Sequence, residues 1–476
     1  MSVPPGVCDA AARFSQQVHR LSHPDLPIFT LPVPKSRIYI VTDPSLAAAV
    51  QRASRALSFT PLVPDITKRI LDLDERTVEI ARQNLDPEKD EPRGFLADTH
   101  DLVYGFLGPG ENLNDLSRAA AEELGHQLNS YADDLRRSGA AGETVDLLDW
   151  VRHLVTIGTA KFLYGPHNPI AVHPELEQAF WDFDHGLGGL LMGIFPSITA
   201  RKAYKGREAI AKALTEYLEA GRQSEASKLV QQRMQIAVQY DWSINMIARS
   251  DLTFLFAGIV NTATTVFWFI LRIFADPELL QTIRAEVEKA VAISAVAHGG
   301  EQGLLSIEVL KENCPTLTAV FRETLRVGSE SVATRVVKED TMLAGRYFLR
   351  KGSVVQISGG AIHANPSIWG QDVEHFNHER FMGKLSVHPA AFRSFGGGKT
   401  LCPGRHFATN EILCFVAMIL LTIDVEAPDG GRIVVPPKND GVMPVHVLEP
   451  REKDAVKVVL KVRDEGEVPK AWRVVM

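Results

Sequence analysis

Between about residues 145 and 291 apolar and polar positions alternate with mostly helical periodicity, which predicts a helix-rich middle. Upstream, "RIYIVTDPSLAAAVQRA" reads as a short strand followed by a helix that begins at Asp-Pro. Past about Asp340 the texture shortens to strands and turns, as in "LRKGSVVQISG". A final helix is expected directly after Cys402, with Pro403 in its first turn, and "RIVVPP" and "VKVVLKV" read as closing strands. The segment 186–198, "GLGGLLMGIFPSI", interrupts the helical region as a flexible apolar stretch.

The run 252–271, "LTFLFAGIVNTATTVFWFIL", carries no charge and is long enough to cross a bilayer. Asn261 and the threonines near it make a poor lipid face, however. Charged residues then resume in "RIFADPELLQTIRAEVEKAV" on a continuing helical pattern. A central helix buried on all sides by protein accounts for the run, and such a helix needs a large helical body around it.

Composition narrows the function. The 476 residues, 45% hydrophobic and 23% charged, allow a large core, and a net charge of -7 argues against a nucleic-acid binder. Four scattered cysteines, Cys8, Cys314, Cys402 and Cys414, make no disulfide framework and point to a reducing compartment. Cys402 and His406 supply only half of a zinc shell. "MSVPPGVCDA" carries neither a signal peptide nor a transmembrane run, and starts as a chain would if an upstream anchor had been removed.

The chemistry concentrates in 395–404, "FGGGKTLCPG". A phosphate loop would need glycine at position 393, where Arg393 stands, so that reading fails. Phe395, Gly398, Cys402 and Gly404 instead match Phe-x-x-Gly-x-x-x-Cys-x-Gly, the cradle of an iron-bound thiolate. Such a sulfur needs a dry pocket and backbone N–H groups that temper its charge. Gly398 and Gly404 permit the tight path, Phe395 shields the sulfur, and the following helix turns its positive end toward it, lowering the thiol pKa. "ETLR" adds Glu323 and Arg326, three apart on one helix face and able to pair.

With these motifs the chain resembles a cytochrome P450 of the eukaryotic microsomal type, from about Arg37 to the C-terminus. The resemblance implies a mainly α, triangular single domain with small β-sheets. Haem b would lie between the central helix and the loop that supplies Cys402 as axial ligand. Residues 1–476 would form one catalytic domain, with 1–36 as a lead-in. Glu323, Arg326 and Arg380 of "FNHERF" would form a buried fold-holding trio, with His378 where the family usually has Pro. Arg335 would bind a haem propionate. The second propionate partner, commonly two residues before the Cys, is here Thr400 with Lys399 beside it, and Arg118 would replace part of that charge.

The central helix departs from the oxygen-activating pattern. Ala257 and Gly258 match, but the acid position is Val260 and the alcohol position Asn261, followed by Thr262. In this the chain is similar to the branch holding the sterol 7-hydroxylases and prostacyclin synthase, and also to fungal enzymes that tailor natural products. The leading expectation is therefore a monooxygenase acting on a lipophilic polycyclic, terpenoid- or sterol-like molecule. Asn261 and Thr262 would position water, and a flavoprotein reductase would pass on electrons from NADPH, with cytochrome b5 as an optional donor. The alternative is an isomerase that rearranges a peroxide without dioxygen or NADPH. An electron carrier or gas sensor would need a second protein ligand, which 257–260 does not offer. The resemblance places substrate walls at Phe256, Ala257, Asn261, Val332, Ala333 and Met443. Glu330 would anchor a polar substrate group or be solvated, and 186–198 would be a membrane-touching entrance or a core loop. Lys399, Arg405 and Arg393 would form a basic docking face for the reductase. The full-length protein is expected as a monomer on the cytosolic face of the endoplasmic reticulum membrane.

Overall fold

The structure, a computed structural model, describes residues 26–34, 36–88, 90–300, 303–384, 386–439, 447–463, 469 and 471–476. Its axis is the central helix Ile244–Phe274, whose first turn is capped by the Ser243 side chain. From Val266 to Leu271 nearly every side chain is fully buried, so the helix is apolar on all faces because protein surrounds it. Helices Leu147–Tyr164, Arg201–Glu219, Pro315–Gly328 and Arg405–Thr422 pack against it. At Gly258 an added Cβ would stand 3.1 Å from the Thr159 methyl, so the glycine lets helix Leu147–Tyr164 come close. The central and Arg405–Thr422 helices are both long and apolar enough to cross a membrane, yet 72% of each apolar window is buried inside the protein. They are core helices.

The helical pattern past Leu271 does not run on unbroken. The central helix stops at Phe274, and a separate helix Pro277–Ala297 begins with Pro277, capped by the Asp276 side chain. Pro277 has no N–H to give and disfavours helical backbone in the residue before it, which forces the break. The segment 186–198 is helical in two short pieces, Leu187–Met192 and Pro196–Thr199, with Gly193 in the left-handed region at φ 67° between them. Leu187, Leu190 and Leu191 are buried while Ile194, Phe195 and Ile198 are exposed, so this is a half-docked element.

The main sheet has five strands in the order Ile28–Val33, Ser36–Val41, Val354–Ser358, Val332–Val337 and Leu57–Ser58. Val332 pairs with Ser358 and Arg335 with Val355, antiparallel, which fixes where Arg335 projects. "VKVVLKV" forms strand Lys457–Val462 as expected, whereas "RIVVPP" forms none. Pro436 and Pro437 have no ladder donor to offer.

The trio Glu323, Arg326 and Arg380 does come together. Arg326 grips Glu323 with two charge-assisted bonds, Nε to Oε2 and Nη2 to Oε1, both at 2.7 Å. It also donates to the carbonyls of His363 and Val373, and the Asn377 N–H donates to Glu323. Arg380 stands off at 3.5 Å from Glu323 and spends its terminal nitrogens on Asp372 and the Trp369 carbonyl. The pair Glu323–Arg326 is thus the buried core of the network, and Arg380 joins it to a partly exposed carboxylate. Arg326→Ala is expected to cost about 3–5 kcal/mol, because it strands a buried carboxylate and two carbonyls. Denaturant unfolding measures this; a loss under about 1 kcal/mol would contradict the network's role.

Candidate active site

Cys402 sits between a 3₁₀ turn, Gly398–Thr400, and the helix Arg405–Thr422, whose N-cap is Gly404. Pro403 therefore precedes the helix instead of lying in its first turn. The Cys402 N–H is tied to the Phe395 carbonyl at 2.8 Å, closing the loop on the residue expected to shield the sulfur. The Gly404 N–H faces the sulfur, and with Arg405 it favours the thiolate, but burial outweighs both and pushes the thiol pKa up. This reverses the lowering expected from the helix terminus alone, since a dry pocket penalises charge more than one N–H and one cation relieve it. From outside the loop, the Tyr104 hydroxyl of helix Phe95–Leu107 donates to the Leu401 carbonyl.

Glycine is required for two reasons here. Gly396 and Gly398 hold left-handed backbone at φ 76° and 64°. At Gly397 an added Cβ would overlap the Gln51 amide at 1.9 Å. Gly404, by contrast, has an ordinary φ of -78°. An added Cβ there would stand 3.9 Å from the sulfur, so that glycine keeps the space beside the sulfur clear instead of shaping the backbone.

Cys402 lines a cavity of about 680 Å³. The central helix contributes Ala257, Gly258, Asn261 and Thr262, and the strand after the Glu323 helix contributes Val332, Ala333 and Arg335. Phe162, Phe254, Phe395 and Phe407 give it aromatic walls. The Asn261 carbonyl accepts the Val447 N–H at 3.0 Å, which turns the amide's donor end to the cavity. Thr262, 4% exposed, donates to the Glu411 carboxylate at 3.3 Å.

One edge carries buried positive charge. Arg335 is 5% exposed and donates to the Thr400 hydroxyl and the Thr334 carbonyl. Burial depresses it to about 10, with no carboxylate to oppose the shift. Arg393, 2% exposed, is likewise at about 10, through burial and then the neighbouring Arg335. The Gln51 carbonyl, in the orientation its donors require, accepts from both Arg393 terminal nitrogens at 3.0 and 3.1 Å. Two adjacent buried guanidiniums without an acid among the described residues call for an anion from elsewhere. An iron-bearing group with carboxylate arms meets both demands, the sulfur taking its metal and Arg335 a carboxylate. The residues present fit haem.

Several expected positions fall elsewhere. Arg118 pairs with Asp115 on its own helix and does not line the cavity, being turned outward by the helix register. Lys399 is exposed on the 3₁₀ turn and also misses the cavity. Phe256, half-buried against the core, does not line the cavity, whereas Phe254, also packed against the core, does. Arg393 is buried, so it is no part of a docking face. Glu330 is buried against Lys438 and is neither solvated nor on the cavity wall. Met443 lies outside the described residues. Tyr104, Gln51 and Glu411 went unnoticed; of these only Glu411 left a sequence signal, a lone acid heading the apolar run "ILCFVAMILL".

Comparison with known proteins bears on the same residues. The family model Cytochrome P450 matches residues 170–453. "Cytochrome P450 monooxygenase nodJ" of Hypoxylon pulicicidum is 31% identical over 428 residues, covering 87% of this chain and 79% of that protein. "Cholesterol 7-alpha-monooxygenase" of Cricetulus griseus is 26% identical over 300 residues, 60% of this chain and 59% of that one. "Bifunctional cytochrome P450/NADPH--P450 reductase ALT2" of Alternaria alternata is 30% identical over 196 residues, 40% of this chain and 17% of that one. A helix-rich body, a cysteine loop opening on a cavity lined by an unneutralised Arg335, and these relatives converge: the chain belongs to the cytochrome P450 family, as a haem-thiolate monooxygenase.

Proposed function

We propose that this enzyme binds haem through Cys402 and oxidises a lipophilic polycyclic natural product, terpenoid- or sterol-like, using dioxygen and electrons from an NADPH-dependent reductase. The observation that carries the reading is the cavity itself, walled largely by apolar side chains and bringing together the Cys402 sulfur, the buried Arg335, which has no acid partner among the described residues, and Asn261. Haem, when bound, supplies the oxygen activation. The chain's own residues do the rest. Gly404 N–H steadies the Cys402 sulfur, and Arg335 with Thr400 holds a propionate. Ala257, Val332 and Ala333 offer apolar surface to a hydrocarbon skeleton, and Asn261 presents an N–H to a water or a substrate oxygen. The P450–reductase fusion among the relatives supports a flavoprotein partner. Exposed Ile194, Phe195 and Ile198 support contact with a membrane surface, and hence an endoplasmic reticulum location facing the cytosol. One catalytic unit over the whole chain completes the proposal.

A second reading, rearrangement of a peroxide without dioxygen or NADPH, draws on Val260. It is fully buried and off the cavity wall, so position 260 offers no acid to the cavity. Turnover separates the two. With reductase and NADPH, a panel of terpenoids and steroids is expected to yield oxygenated product, with ligand-induced shifts in the haem absorption; NADPH-independent conversion of a peroxide in place of this overturns the proposal.

Removal of Arg335 tests the cofactor assignment separately. Arg335→Leu is expected to weaken haem retention by roughly 10- to 100-fold, the worth of a charge-assisted bond. Lys399→Ala and Arg118→Ala should retain haem as the unaltered enzyme does. The haem-to-protein ratio after gel filtration reads all three, and equal retention in Arg335→Leu would count against the propionate role. Cys402→Ser is expected to lose the thiolate-type absorption of the reduced carbon monoxide complex together with turnover.

A further inference from the structure

Three side chains that do not line the cavity meet two residues along the chain from one that does. Arg152, on helix Leu147–Tyr164, donates through Nη2 to Glu449 Oε1. His185, the last residue of helix Glu175–His185, sets its Nε2 3.0 Å from Arg152 Nη2 and 3.3 Å from Glu449 Oε2. Neutral, that ring nitrogen accepts from Arg152; protonated, it donates to Glu449; in both forms it braces the pair. The Arg152 guanidinium also lies over the Trp181 ring, 4.5 Å from its centre. The side chains of Arg152 and Glu449 are only 13% and 14% exposed. Burial alone would raise the Glu449 pKa, but the His185 bond and the Arg152 charge pull it down to about 2, so Glu449 is a carboxylate. None of the three lines the cavity.

Val447 does line it, and its N–H donates to Asn261 Oδ1 at 3.0 Å. Backbone bonds hold the stretch after it locally, the Leu448 N–H to the Gly328 carbonyl at 3.3 Å and the Asn439 N–H to the Glu449 carbonyl at 2.6 Å. The Glu449 side chain ties the same stretch to two further helices, Leu147–Tyr164 and Glu175–His185. A buried ion pair adds little net stability over apolar side chains of the same size, because desolvation offsets the attraction. What it fixes is position, since a displaced partner leaves a buried charge unmet. Position is what the Asn261 bond requires. The terminal torsion of an asparagine is broad and roughly two-fold, so without an N–H opposite its oxygen the amide can present either end. With Val447 in place the oxygen is committed and the donor end faces the cavity. We propose that Arg152, Glu449 and His185 form a selectivity clamp: by holding Val447 against Asn261 they keep the amide donor turned to the cavity, and so select substrates with an acceptor oxygen, such as a ketone, over their deoxygenated counterparts. Glu449 works through Val447 and Asn261 and touches no substrate, which makes it a positioning residue. The proposal rests on the reading of the cavity as a substrate site given above, and its test lets the two fail separately.

A double-mutant cycle tests it. In the haem-loaded enzyme, spectral titration gives the affinity for a steroid ketone and for the same skeleton with its carbonyl reduced to a methylene. The unaltered enzyme is expected to prefer the ketone. In Glu449→Gln that preference should fall by about 3- to 10-fold, the worth of one hydrogen bond, with haem content and the thiolate-type carbon monoxide spectrum retained. Asn261→Leu should lower the preference at least as much, and adding Glu449→Gln to it should change nothing further. Such non-additivity separates a role through Asn261 from general support of the fold, whose effect would add to that of Asn261→Leu. No ketone preference in the unaltered enzyme, an unchanged preference in Glu449→Gln, or effects that add in the double variant overturns the proposal. Should Glu449→Gln fail to load haem, Arg152→Lys replaces it in the same cycle, keeping the charge but losing the planar fork that stacks on Trp181. If the unaltered enzyme binds neither ligand, the substrate reading has failed, and amide hydrogen exchange decides the clamp alone. Exchange at residues 447–449 that quickens in Glu449→Gln and in Asn261→Leu, but no further in the double variant, supports it. Exchange indifferent to Glu449→Gln, or quickened further in the double variant, overturns it.

Discussion

Two guanidinium groups buried side by side, with no acid to pair them among the described residues, are a debt those residues leave unsettled. Arg335 and Arg393 repel each other in a dry environment, and a few neutral acceptors, the Thr400 hydroxyl, the Thr334 carbonyl and the Gln51 amide, share their donors. Such an arrangement is stable only with an anion at the cavity edge. Much else follows from it. Arg335 is aimed by its register against Val355, and Arg393 by a loop whose N–H donates to His363 Nε2. His363 in turn donates through Nδ1 to the Ser329 carbonyl and offers its own carbonyl to Arg326. It is held neutral, its pKa lowered to about 3 by burial. One continuous polar network therefore runs from the Glu323–Arg326 pair to the loop that carries the sulfur. The fold-holding pair and the candidate cofactor site are linked through this network.

What the sequence disclosed depended on how far apart the interacting residues lie. The spacing of Phe395, Gly398 and Cys402 is local, and the loop it implies closes as expected through the Cys402 N–H and the Phe395 carbonyl. Glu323 and Arg326 share a helix face by simple periodicity, and the long uncharged run 252–271 announces a helix buried by protein. Arg118, Lys399 and Phe256 fared worse because each depended on the rotation of its element relative to a distant cavity, which no local pattern fixes. Phe254 and Phe256 are two residues apart on a helix, about 200° around its axis, so a wall position and a core position exchange easily. Arg393 looked like surface because arginine usually is; only the proximity of Gln51 and Arg335 shows otherwise. Gly404 was counted with the strained glycines, yet its backbone is ordinary and its importance lies in the volume it leaves empty.

The segment after residue 446 shows how the helix wall is organised. Val447 donates to Asn261, and the Leu448 carbonyl accepts the Trp268 indole N–H at 2.8 Å. Asn261 and Trp268 are seven residues apart, two turns along one face, so a short stretch of chain is fastened to the central helix at two points. This fixes the Asn261 amide more firmly than packing would, and it commits the carbonyl oxygen. What remains for the cavity is a donor.

Thr262, next along the helix, is rotated about 100° from Asn261 and reaches Glu411 on the other side. Adjacent residues thus line one cavity with different partners, Asn261 tied to the Val447 N–H and Thr262 to a buried acid. Position 260 is Val, and the acid that meets Thr262 sits on the helix that follows the sulfur loop. Cys402, in the loop before that helix, and Glu411, within it, are nine residues apart in sequence.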